Sequence, residues 1–185
     1  MQLPLKHARK YAKQIAAEIA PYCHRVEIAG SIRRQRPFVN DIDLVVIPRD
    51  MEALKLRCLQ HCTPITRGDA VFSFETKSLV QVDIFTAQPE RKELFQVTPS
   101  TWGSVLLCRT GSKAHNIYMC QCAAQKGWKW HTSHGLFNAR GELLAGETEE
   151  SIFSTLGLAF MKPEARERGA ERGIGSEVGW GVPTI

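Results

Sequence analysis

Nowhere in its 185 residues does the sequence carry the roughly 18 to 20 uninterrupted apolar residues that a membrane-crossing helix requires. An N-terminal apolar signal core ahead of a small-residue cleavage site is missing as well, so the expectation is an intracellular, cytoplasmic protein with no membrane partner. For a viral source the same expectation points to the host-cell cytoplasm. No paired C-x-x-C stands with a second pair at zinc-finger spacing. The six cysteines (Cys23, Cys58, Cys62, Cys108, Cys120, Cys122) therefore read first as reduced, small apolar residues. A metal site with His115 and His131 is the lesser alternative. No internal repeat is visible. Acids are the scarcer charge, 19 Asp and Glu against 24 Lys and Arg, which gives a formal charge of +5 and a pI of about 9.0. That balance favours a polyanionic partner. A membrane surface is a weaker match, because the basic residues are spread over several segments. With 43% hydrophobic and 23% charged residues, neither global disorder nor a fibrous repeat is indicated. The length suits one ordinary domain or two small lobes.

Along the chain, Tyr11, Ile15 and Ile19 recur every four residues and predict an amphipathic helix over 6–19, ended by Pro21. A short strand over 25–29 leads into Gly30-Ser31 and a basic turn, residues 33–37. The run Asp41-Ile42-Asp43-Leu44-Val45-Val46-Ile47, rich in β-branched residues, predicts a buried strand that opens on two acids and stops at Pro48. Residues 51–62 read as helical. Residues 70–76 and 79–86 form a predicted hairpin around Lys77-Ser78. Farther on, residues 102–108 are apolar, Thr110-Gly111-Ser112 breaks the run, and 113–125 reads as a helix ended at Gly127. Asn138 to Gly141 is the turn of a second predicted hairpin. Thr148 can cap a helix over 149–156, closed by Gly157. Five glycines in residues 169–185 predict a mobile tail.

The acids carry the chemistry. Strand side chains alternate, so Asp41 and Asp43 share one face. Two like charges held together call for cations, and hard-oxygen Mg²⁺ sites are the usual answer, although Asp-x-Asp is also common at exposed strand ends. Gly30-Ser31, placed between a strand and a short helix, can bring backbone N–H groups close to a phosphate. Asp83 is the acid of the second hairpin strand and shares a face with Gln81 and Phe85. It can be a surface residue or the third carboxylate of one site.

The stretches "AGSIRRQRPFVNDIDLVVI", "VQVDIFTA", "LLCRTGSKAHNI" and "HGLF…GETEESIFSTLGL" resemble, in the same order, the palm and thumb of family X DNA polymerases, the group that includes polymerase beta. The resemblance covers about residues 25–167. It implies an α+β fold, with a nucleotidyltransferase palm of mixed β-sheet and helices on one face over 1–97. A small α+β thumb over 98–168 and a Gly-rich tail over 169–185 would follow. No N-terminal lyase or helix-hairpin-helix region is expected, as in the minimal members.

By the same resemblance, Asp41, Asp43 and Asp83 are the catalytic and metal-holding residues for two Mg²⁺ ions, which Mn²⁺ can replace. Gly30, Ser31, Arg34 and Asn40 would lie at the triphosphate. Cys108, Arg109, Thr110, Gly111, Ser112 and Asn116 would lie at the sugar and base. Gln81, Lys113, His115, Cys120, Lys126, Lys129 and His131 would face DNA. The implied activity is template-directed addition of deoxynucleotides to a primer 3′-hydroxyl on primer-template or gapped DNA, as in short-gap repair, by a monomer. Two other readings stay open: the same transfer to another acceptor, and a DNA-end-binding protein without activity. The stretch "GWKWHTSHGLF" places Trp128 and Trp130 on one face beside Lys126 and Lys129, either to pack a small sheet or to meet a nucleic-acid strand.

Overall fold

The computed structural model describes residues 2–167 except 61, 69, 95 and 96. The chain divides into two compact units, Met1–Gln88 and Pro89–Ile185. The expected tail over 169–185 lies outside the described residues.

The first unit runs β1 (Leu3–Pro4), α1 (Leu5–Ile19), a 3-10 turn (Ala20–Tyr22), β2 (Cys23–Ile28), α2 (Gly30–Arg33), β3 (Phe38–Val39), β4 (Asp41–Pro48), α3 (Met51–Leu59), β5 (Thr63–Arg67), β6 (Val71–Glu75) and β7 (Gln81–Thr86). Five strands form a mixed sheet in the order β2-β4-β7-β6-β5, with β4 and β7 parallel and the other neighbours antiparallel. Alternation sorts the two central strands. Ile42, Leu44 and Val46 of β4 and Val82 and Ile84 of β7 join Phe72, Phe74, Ala8, Ala12, Ile19 and Leu54 in one apolar core under α1 and α3. Asp41, Asp43, Gln81 and Asp83 fall on the opposite face of the sheet.

Two local readings change. The buried seam of α1 is Ala8, Ala12, Ile15 and Ile19, whereas Tyr11 is 42% exposed. A strict four-residue spacing drifts off a 3.6-residue helix, and the two alanines let the helix lie close to the sheet. The helix expected over 51–62 ends at Leu59, and the chain enters β5, a strand that sequence pattern had not marked. Pro64 is tolerated there because β5 is at the sheet edge. The predicted hairpin is β6–β7. Its turn is closed by Leu79 N–H to Thr76 O (2.9 Å) and Thr76 N–H to Val80 O (3.0 Å).

The second unit holds β8 (Arg91–Lys92), β9 (Val97–Thr98), α4 (Trp102–Thr110), α5 (Lys113–Gln125), β10 (Lys129–His131), β11 (Gly135–Phe137), β12 (Leu143–Ala145), α6 (Glu149–Leu156) and a 3-10 segment (Pro163–Glu167). Strands β10–β12 form an antiparallel sheet that buries Trp130 and Leu136 with Leu107, Met119, Ala123, Ile152, Phe153 and Leu156. Trp128 packs on the same cluster, with the Lys126 ammonium 5.3 Å from its ring centroid. Thr148 caps α6 through Ser151 N–H to its Oγ1 (2.9 Å). Asn138 organises the β11–β12 turn, its Oδ1 accepting from Arg140 and Glu142 N–H at 2.9 and 3.0 Å. All six cysteines are free, and burial pushes the Cys23 thiol up to about 11 and Cys58 to about 12. These two thiols therefore stay protonated at neutral pH.

Candidate active site

Strands β4 and β7 run side by side in a register that places Asp43 opposite Asp83 and Asp41 opposite Gln81. Three carboxylates thus open from neighbouring strand starts onto one face. Burial raises the Asp41 carboxyl above its ordinary range, and the Asp83 charge raises it further. A backbone hydrogen bond and Arg34 pull partly the other way. Gln81, two residues before Asp83 on the same face, donates its side-chain N–H to both Asp83 oxygens at 3.0 and 3.2 Å. The amide expected to face DNA is therefore engaged in orienting a carboxylate.

The start of α2 lies against these acids. Ala29 N–H donates to Asp43 O (2.8 Å), which sets Gly30 beside Asp43. Gly30 has φ +57, which strains any side chain, and a Cβ there would collide with the Asp43 carboxylate as it lies, so a larger residue would have to displace it. The Asp43 carboxylate accordingly lies over Gly30. Next to it, the Ser31 hydroxyl oxygen is buried and has no hydrogen-bond partner. A buried polar atom of this kind is costly unless a ligand satisfies it. Arg34 is half-buried beside these residues and Asn40 is exposed.

Among the described residues, no three His, Cys, Asp or Glu side chains stand close enough together, as placed, to hold a metal ion. The donor set nevertheless fits one. Asp41 and Asp83 already repel each other, and all three acids offer hard oxygens. A nearby cation would offset the cost of gathering these charges.

In the second unit, α4 ends at Thr110, which is fully buried, and Gly111 turns the chain with φ +68 into Ser112. The Ser112 hydroxyl caps α5 by accepting from His115 N–H (3.3 Å). Asn116, one turn on, donates from Nδ2 to Cys108 O (2.8 Å). Cys108, Thr110, Gly111, Ser112 and Asn116 thus form one local cluster, with Arg109 half-buried beside it. Lys113, Cys120, Lys126, Lys129 and His131 are exposed. His115 is not. At 1% exposure its ring packs 5.7 Å from Phe153, and burial, followed by the Arg166 charge, depresses its pKa to about 3. The residue expected at a DNA surface lies inside the unit, because its place on α5 faces the core.

Sequence pattern also passed over a buried ion pair, Glu149 with Arg166 (2.7 Å), at 4% and 0% side-chain exposure. The signal for Glu149 was available in its place just after the Thr148 cap. Nothing local marked Arg166.

Residues 105–167 match the DNA polymerase beta thumb family. Over 180 residues, 92% of the chain, the sequence is 28% identical to the DNA polymerase/3'-5' exonuclease PolX of Bacillus subtilis (strain 168). The chain is family X polymerase-like. It spans 29% of the length of that curated relative. Two crystal structures of Leishmania infantum polymerase beta, a ternary gap complex and a ternary P/T complex, share its fold at TM-scores of 0.68 and 0.65. They are 18% and 21% identical over 90% of this polymerase-like chain, which covers 71% and 77% of theirs. The α+β fold, a mixed-sheet unit followed by a small α+β unit, is the one the family resemblance implied. No helix among the described residues is long and apolar enough to cross a membrane.

Proposed function

We propose that the chain is a DNA-directed nucleotidyltransferase that adds deoxynucleotides to a primer 3′-hydroxyl, with residues 1–97 as palm and 98–168 as thumb. The observation that carries this reading is the placement of Asp41, Asp43 and Asp83 on one face of two neighbouring parallel strands, with the Asp43 carboxylate against Gly30 and a buried, unsatisfied Ser31 hydroxyl next to it. Gly30 and Ser31 bind the triphosphate through backbone N–H groups and the hydroxyl, and Arg34 adds positive charge. Asp41, Asp43 and Asp83 would hold two Mg²⁺ ions, or Mn²⁺ in their place. When bound, such ions lower the pKa of the attacking hydroxyl and offset charge on the departing pyrophosphate. Gln81 holds Asp83 in one orientation beside the 3′-oxygen, and Asp83 accepts the proton from that hydroxyl. The oxygen forms its bond to the α-phosphorus as the bond to pyrophosphate breaks. In the thumb, Thr110, Gly111 and Ser112 shape the sugar subsite with Cys108, Arg109 and Asn116. Lys113, Cys120, Lys126, Lys129 and His131 lie toward DNA. The partners are gapped or primer-template DNA and deoxynucleoside triphosphates, the context is short-gap repair, and the working form is a cytoplasmic monomer.

Primer extension tests this, on open and gapped templates with each deoxynucleotide. Asp43→Ala and Asp83→Ala should each lower the rate by about a thousandfold or more, ~4 kcal/mol of barrier. Near-normal extension by Asp83→Ala would overturn the assignment. Addition that ignores the template base would move the reading to an untemplated transferase.

A further inference from the structure

The thumb-like unit buries a complete arginine where no catalytic step uses one. Arg166, in the 3-10 segment, is 0% exposed. Its Nη1 donates to Glu149 Oε1 at 2.7 Å, and its Nε and Nη2 both donate to Met161 O, at 3.0 and 2.8 Å. The guanidinium carbon lies 5.5 and 5.6 Å from the Phe153 and Phe160 ring centroids. Three hydrogen bonds and two ring faces hold this planar fork in one orientation. Buried pairs of this kind add little stability over well-packed apolar residues, so a fixed geometry is what this one supplies.

That geometry leads to the nucleotide turn. The backbone carbonyl of Arg166 accepts from the Ser112 hydroxyl at 2.9 Å. The same hydroxyl caps α5, and Asn116 N–H bonds Ser112 O at 2.9 Å. Asn116 then bonds Cys108 O across the turn. A continuous chain of hydrogen bonds therefore runs from Glu149 through Arg166 to Ser112 and Asn116.

We propose that Arg166 is a positioning residue for nucleotide binding: its buried fork with Glu149 and Met161 fixes the segment Pro163–Glu167 so that the Arg166 carbonyl holds Ser112 and sets the Thr110–Gly111–Ser112 turn. This rests on the reading of that turn as the nucleotide's sugar subsite. Arg166 touches no substrate and acts through Ser112.

The test compares the full chain with Arg166→Lys, which keeps the charge and loses the fork, and with the double variant Arg166→Met/Glu149→Met, which removes both buried charges together. Four quantities are read: melting by circular dichroism, KM and kcat in primer extension, calorimetric binding of a deoxynucleoside triphosphate with Mg²⁺, and affinity for gapped DNA. In the double variant, with cooperative melting kept, KM and nucleotide Kd should rise about fivefold to tenfold, while kcat and DNA affinity stay within about twofold. Arg166→Lys should fall between the two. Unchanged KM and nucleotide Kd in a cooperatively melting double variant would overturn the proposal, as would parallel loss of nucleotide and DNA binding. If the double variant does not fold, the same split in Arg166→Lys decides. A wild-type chain that binds nucleotide without extending primers sinks the polymerase reading and leaves this inference to the calorimetric Kd. A wild-type chain that binds no nucleotide overturns both.

Discussion

At Gly30 two separate constraints meet, a left-handed backbone and the space taken by the Asp43 carboxylate. Placing alanine there costs about 1–2 kcal/mol for the backbone conformation alone, and the collision adds to it. The two contributions can be separated, because Asp43→Ala removes the collision and leaves the φ penalty. Gly30→Ala should therefore be strongly destabilising by itself, and the Gly30→Ala/Asp43→Ala protein should be more stable than the sum of the single changes predicts, by about 0.5–3 kcal/mol of coupling. Urea midpoints for the four proteins measure this. Additive effects would mean that Asp43 does not lie over Gly30. Gln81 makes a comparable residue-scale point. Its sequence position showed only that it shares a face with Asp83, whereas the hydrogen bonds to both carboxylate oxygens define its role.

At the scale of elements, α4 is fastened at its N-terminal end by two adjacent residues. Gly103 lies so close to the Thr148 backbone that any Cβ would collide with it, which locks α4 against the start of α6. One residue on, the Ser104 hydroxyl accepts from the Trp130 indole N–H at 2.8 Å and faces the carbonyls of His131 and Thr132 at 3.1 and 3.2 Å. Helix and sheet are thereby joined through one buried oxygen. Ser104→Ala leaves the indole N–H buried without an acceptor and should cost about 1–3 kcal/mol. Thermal melting with tryptophan fluorescence reads the loss, and an unchanged melting temperature would show the oxygen to be dispensable. The two tryptophans of "GWKWHTSHGLF" answer the sequence-level alternative, since both pack on the thumb-like core.

The whole molecule carries a pH dependence set from inside. His115, with a folded pKa near 3, must enter the fold neutral, while in the unfolded chain its pKa is about 6.5. Between those values the unfolded chain binds the extra proton. The associated stability is thus fully present above about pH 6.5 and is lost progressively as pH falls toward 3. The melting temperature should fall between pH 7.5 and pH 5, and His115→Gln should flatten that decline. Equal slopes in the two proteins would rule out His115 as the source. The formal charge of +5 acts at the same scale, by favouring an anionic partner without choosing one.

The sequence by itself determined what depends on local period and chemistry. The alternation in β4 and β7 put the acids on one face. Glycine and capping residues marked the turns at Gly30, Gly111, Asn138 and Thr148. Four short motifs in order gave the palm and thumb resemblance. The tertiary structure decided what depends on close approach between distant segments. It substituted Ala8 and Ala12 for Tyr11 in the seam of α1, because only small side chains let that helix reach the sheet. It turned His115 inward and tied Ser112 to Arg166, 54 residues away in the chain. It also laid Asp43 over Gly30. Burial and hydrogen-bond partners are properties of the packed chain, and no local pattern of residue types encodes which remote carbonyl a serine will meet.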